Sequence, residues 1–435
     1  MSEAPPPSRS VRPLRLALLL GLPLLALVGV AWSSARSAAR IWPPVDPPPL
    51  ASLPPVLPAC AGGEALLQGL LRAPLELDEG ALARAFAEPG VVAPEGADPL
   101  PPSLELHHAL DQLEGCGGLN LTAADTTGGP VLGGRLLSVA RLRLLRAWER
   151  SGQGDLVGAS ADLVSTLRLG AILEHSGGDL ALVEAGVDVG GLAVAQIELW
   201  LDANPQAQDD SLGPLAAGLA AVVDLPAGVP RALVRQCREG EIQLLNLGAI
   251  PAPAMLLEPA GVPLWVGWVA ELLPGATVYD APRTLAMHRQ RCGRRLEEVQ
   301  AGGLWDDADL GPALWDRERI SLGPMLDNPL GRVTLQAEPL TARVNAVILV
   351  ERSLRSRRAL LATRVAVERG SQAHEGLLPL QLALLVPEFL ATPPVDPVDG
   401  KPINWVRSHG EIFTTREVTG PDGQPQRLMT KVPER

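Results

Sequence analysis

Four cysteines, two adjacent histidines and a few aspartates are the residues of this chain whose types could do chemistry. Cys60, Cys116, Cys237 and Cys292 make an even count, which in an oxidising compartment points to disulfides with three connectivities open. Pairing neighbours in sequence would join Cys60 to Cys116 and Cys237 to Cys292, and four buried thiols is the alternative. No CxxC spacing occurs, so zinc and thioredoxin-like redox chemistry are not expected. His107 and His108 with Asp111 offer imidazole and carboxylate donors, and residues four apart share a helical face. A third ligand is not apparent, and the pair is expected at a surface. "ADTTGG", Ala124 to Gly129, has part of the motif by which two carboxylates share a proton and activate water, but Thr127 interrupts it and it has no second copy. HExxH, GxSxG, a Walker loop and a GxGxxG between strand and helix are absent. The predicted catalytic, cofactor-binding and metal sets are therefore empty.

The elements that would position such residues read as helical. Aromatics are only 3% of 435 residues and β-branched runs are short, so helix formers must fill the core. From Arg135 to Arg150, Leu136, Ala140, Leu144 and Trp148 recur every four positions along one face. "SGQGD" then breaks the helix, Asp155 is a candidate N-cap for a second helix to about His175, and "SGGD" leads to a third from Leu180 to about Leu201. A last long helix is expected from about Pro339 to Arg369, with Leu340, Val344, Val347, Ile348, Leu361 and Val365 inward. Its arginines Arg352, Arg355, Arg357, Arg358, Arg364 and Arg369 are expected mostly on the solvated side. The expected fold is mainly α, an antiparallel helical array with tetratricopeptide-like hairpins and a small C-terminal β-hairpin.

The address comes from the N-terminus. Arg9, Arg12 and Arg15 precede an uncharged apolar run from Leu16 to Trp32, close to the roughly 17 residues that suffice to span a bilayer. Its length favours an uncleaved anchor, while "SSA" at Ser33 to Ala35 leaves cleavage open. The expected organisation is a cytoplasmic tail (1–15), a transmembrane anchor (16–32), a Pro-rich linker (33–62), a helical extracytoplasmic domain (63–336), a long helix with a C-terminal module (337–418) and a flexible tail (419–435). A formal net charge of −12 argues against the basic surface that phosphate backbones require, so nucleic acid is not an expected partner.

"PPVDPVDGKPINW", Pro393 to Trp405, follows the helical pattern abruptly. Asp396 before Pro397 is biased to extended geometry, Asp399-Gly400 suits a tight turn, and "INWV" and "EIFTT" joined by "RSHG" read as a hairpin. The stretch is therefore read as a turn that converts helix into sheet, with Asp396, Pro397, Asp399, Gly400, Pro402 and Trp405 in structural roles. Together with "LLPLQLALLVPEFL" before it, which reads as a short helix at about Leu380 to Leu390, the segment resembles the C-terminal part of the major pseudopilin of type II secretion. The same arrangement, with the anchor and the Arg135 to Leu201 helices, is similar to a group of bacterial membrane-anchored helical proteins. The resemblance implies a structural module, and the apolar run lacks the processing site and glutamate of a polymerising pilin.

These readings lead to a single-pass envelope protein of binding or scaffolding type, its body outside the cytoplasm, with an envelope protein as partner and no cofactor. An accessory component of a secretion or pilus-like system and an extracytoplasmic hydrolase are the alternatives.

Overall fold

The computed structural model describes residues 111–112, 129–176, 180–248, 280–304, 340–419 and 425–432. The anchor, the linker, Cys60, Cys116, His107, His108, most of "ADTTGG" and the apolar stretch after Gly248 lie outside the described residues. The described residues fall into two compact units, one of 111–236, 296–304 and 342–432, the other of 237–248, 280–295 and 340–341.

Seven α-helices are present among the described residues: α1 Gly129–Gly152, α2 Leu156–Glu174, α3 Leu180–Ala203, α4 Asp209–Val223, α5 Val229–Gly248, α6 Ala281–Gln300 and α7 Leu340–Ala373. Leu136, Ala140 and Leu144 are fully buried, as their spacing on α1 predicts. Trp148 is half-buried and donates its indole N–H to Gln196 Oε1 at 2.8 Å. The chain leaves α1 through Gly154 at φ +83°, a conformation that glycine adopts without a Cβ clash. Asp155 then caps α2, its Oδ1 accepting the Gly158 N–H at 2.8 Å.

The larger unit is built on α1, α2, α3 and α4, with α2 packed against the other three. Glycines set the closeness of α2 and α3. A Cβ at Gly170 would stand 2.7 Å from the Gly190 nitrogen, so the two backbones touch where side chains would otherwise separate them. Both helices are long and apolar enough to cross a membrane by length and composition, but 72% and 67% of their apolar stretches are buried within the array. That burial is the placement of core helices.

At the C-terminal end a three-stranded antiparallel sheet, order β1-β2-β3, packs on the second half of α7. Its strands are β1 Asn404–Val406, β2 Glu411–Thr419 and β3 Pro425–Lys431. The expected hairpin is present, with Asn404 opposite Phe413 and Val406 opposite Glu411. Ala366, Val367, Leu385, Ile403, Ile412 and Val432 form the core between helix and sheet.

Three expectations are corrected. Residues 425–431, expected in a flexible tail, form β3, because the open edge of β2 supplies the hydrogen-bond partners that the segment lacks by itself. The short helix expected at about Leu380 to Leu390 shrinks to a 3-10 turn, Leu382–Leu385, since Pro387 follows too closely for α-helical propagation. Arg358 and Arg364, placed on the solvated side of α7, are buried at 1% and 2% exposure.

Candidate functional site

The apolar stripe of α7 runs through Val344, Val347 and Ile348, and at the same helical spacing continues into Glu351, Arg355 and Arg358. These charged residues therefore face inward, and each needs a partner. Arg358 finds Glu174 at the end of α2, joined by two parallel hydrogen bonds, one from Nη1 to Oε2 at 3.0 Å and one from Nη2 to Oε1. Gly190 of α3 leaves the space for that guanidinium. Nearly two turns further along α7, Arg364 donates to Glu368 Oε1 at 2.9 Å and to Asp202 Oδ1 at 2.6 Å.

Glu351 is 2% exposed and has no cationic partner at ion-pair distance among the described residues. Its Oε1 accepts the backbone N–H of Gly228 and, at 3.3 Å, that of Val229, so the carboxyl caps the N-terminus of α5 from another helix. Burial, then the nearby charge of Glu174, pushes its carboxyl up to about 7, against the pull of the two amides and Arg355.

Beside Glu351 a cleft of about 480 Å³ opens. Ile348, Glu351, Arg352 and Arg355 of α7 form one wall, the segment Pro226 to Arg231 the second, Val299, Gln300 and Gly302 the third, and Pro397 with Val398 the fourth. Arg231 and Arg352 are braced on backbone, donating to the carbonyls of His175 at 3.0 Å and Gly303 at 2.7 Å. The Arg355 Nε is buried without a hydrogen-bond partner. Burial, followed by the charge of Arg416, lowers the basicity of Arg352.

The turn residues sit as a keystone of this wall. Asp396 is 1% exposed; its Oδ1 accepts the Ser356 hydroxyl at 2.8 Å and the Val398 N–H at 3.0 Å, and Arg416 Nε lies 3.8 Å from its Oδ2. Asp399 Oδ1 accepts the Lys401 N–H at 3.0 Å, and Gly400 turns at φ +69°. Pro402 bridges to Val395, and Trp405 donates its indole N–H to the Pro379 carbonyl at 2.9 Å. The turn thus locks to α7 through Ser356 and presents Pro397 and Val398 to the cleft.

Elsewhere in the larger unit Asp162 of α2 is wholly buried among Arg143, Arg146 and Arg150 of α1 at 2.7, 3.4 and 3.1 Å. Burial pushes its carboxyl up while the three guanidiniums oppose the shift; the contacts match charge to charge without straight N–H···O alignment. This cluster braces two helices and lines no cleft described above. In the smaller unit Cys237 and Cys292 are joined in a disulfide that links α5 to α6. His288 lies against it, its Nε2 2.8 Å from the Cys237 carbonyl oxygen and 3.6 Å from Cys292 Sγ. The three side chains converge as metal ligands would, but both sulfurs are taken by each other.

None of the described residues lining the cleft is Ser, Thr, Cys, His or Tyr, and Glu351 is the one carboxyl among them. The arrangement offers guanidinium donors, one protonatable group and apolar walls, without a nucleophile and base in contact. The position of Glu351 at core spacing on α7 was the available sequence signal for this site.

The chain matches no protein-family model, no curated protein and no solved structure.

Proposed function

We propose that this chain is an envelope protein, anchored by Leu16 to Trp32 with its body outside the cytoplasm, that acts by binding. The observation that carries the binding reading is the cleft beside Glu351, framed by charged side chains braced on backbone, with no Ser, Thr, Cys, His or Tyr among its described lining residues. The N-terminal basic residues, the apolar run and the Pro-rich spacer after it support the address. Membrane fractionation and protease treatment of spheroplasts test it. The full chain is expected to sediment with membranes through a carbonate wash and to lose its body to external protease. Full-length protein in the soluble fraction would overturn the anchored reading. Cross-linking of the tagged chain in its native membrane, followed by mass spectrometry, then identifies what it holds.

A second reading, an accessory component of a secretion or pilus-like system, is favoured by the succession of α7, the Asp396 turn and the Trp405 strand. Recovery of secretion or pilus components on cross-linking would support it, and unchanged secretion in a deletion strain would remove it.

A further inference from the structure

The guanidiniums of Arg352 and Arg355 line the cleft beside that of Arg231, which is held on the His175 carbonyl, and Glu351 is the one carboxyl among the described lining residues. Two neighbouring carboxylates are engaged elsewhere. Glu174 is engaged by Arg358, and Asp396 by Ser356, the Val398 N–H and Arg416. The Oε1 of Glu351 is already occupied by two backbone amides, and no arginine hydrogen-bonds to it among the described residues. Arg355 makes no hydrogen bond or ion pair among the described residues, and its Nε is buried and unsatisfied. An excess of positive charge at one place on a chain of net charge −12 is a local feature of the fold. Planar guanidinium forks match carboxylate and phosphate oxygens, and they bind more strongly where water is partly excluded.

Apart from the Gln300 amide, the remaining side chains of the described lining are apolar. Pro226, Pro230, Val299, Ile348 and Val398 offer carbon surface and no donors from their side chains. The volume of about 480 Å³ exceeds the needs of a lone inorganic ion and lies within the range of small-molecule sites.

We propose that the cleft beside Glu351 binds a small organic oxyanion, with its charged head on Arg352 and Arg355 and a short carbon body against the proline and aliphatic walls. The inference rests on the binding reading above and gives that site its ligand class. A free metabolite and the head region of a short-chain lipid share this chemistry.

The test uses the full chain in nanodiscs of zwitterionic lipid, titrated with n-hexyl phosphate by calorimetry. Saturable binding is expected, at least tenfold tighter than that of inorganic phosphate or hexanol. Arg355→Ala is expected to weaken it at least tenfold, Arg355→Lys to recover part of the loss, and Arg352→Gln to behave like Arg355→Ala. Thermal melts of the variants within a few degrees of the parent show that the fold is intact. Transfer of hexyl phosphate by dilution, against retention of lysophosphatidate on the disc, separates a soluble ligand from a lipid one. Equal binding of hexanol, or binding unchanged in both arginine variants, would overturn the proposal. Saturable binding of hexylammonium lost in Glu351→Gln would overturn the anionic class while leaving a binding protein. A soluble full-length chain that still takes hexyl phosphate would refute the anchor and leave the cleft.

Discussion

Arg358 of α7 and Glu174 of α2 are 184 residues apart in sequence and form a paired ion contact whose side chains are each 1% exposed. The long helix is thereby tied to the helical array by charge in a dry environment. Removing either partner alone leaves an uncompensated buried charge. Arg358→Met or Glu174→Leu is expected to lower stability by about 3–5 kcal/mol, whereas the double variant should recover most of the loss. Urea unfolding followed by circular dichroism, run as a double-mutant cycle, checks this. Additive losses would show that the pair is not coupled.

Glu351 makes stability depend on pH. Its carboxyl rises from its ordinary 4.5 to about 7 in the folded state, so the native protein binds its proton more tightly than the unfolded chain. The contribution is full below about 4.5 and is lost as pH rises through about 7, a change of roughly 3 kcal/mol at most. The charges around it are Glu174, Arg358, Arg355, Arg352 and Arg231. Glu351→Gln should flatten the fall between pH 5 and pH 7 in urea midpoints measured at each pH. A variant with the parent's full slope would assign the dependence to another group.

The Cys237–Cys292 disulfide closes a loop across 55 residues of separation. Loop-closure entropy predicts that Cys237→Ser with Cys292→Ser lowers stability by about 4 kcal/mol. Calorimetric melts of the parent and the double variant, with and without reductant, check the value. Reductant should move the parent and leave the variant in place.

Two glycines of the array should respond oppositely to the same substitution. A Cβ at Gly170 meets the α3 backbone at 2.7 Å, so Gly170→Ala is expected to cost about 1–3 kcal/mol by forcing the helices apart. Gly191 on α3 has nothing within 4 Å of its added Cβ, so Gly191→Ala should gain about 0.5–1 kcal/mol from helix propensity. Paired urea midpoints decide. A neutral Gly170→Ala would mean that α2 and α3 can slide to admit a methyl group.

What is local in this protein was legible in its sequence. Leu136, Ala140 and Leu144 announce the face of α1 by their period, Asp155 announces the start of α2, and Asp399-Gly400 and the two short β-prone runs announce the turn and hairpin. Each depends on neighbours within a few positions along the chain. The pairing of Cys237 with Cys292 was the neighbouring choice among three connectivities, and the structure closes it. The β3 strand and the burial of Arg358 and Arg364 were decided only by tertiary structure. The polar segment 425–431 becomes a strand because β2 presents an open edge. An arginine belongs in a core only when a carboxylate meets it there, and Glu174 and Asp202 arrive from helices more than 150 residues away. The cleft is of the same kind. Its four walls come from four separate segments, so its charge balance exists only after they have been brought together.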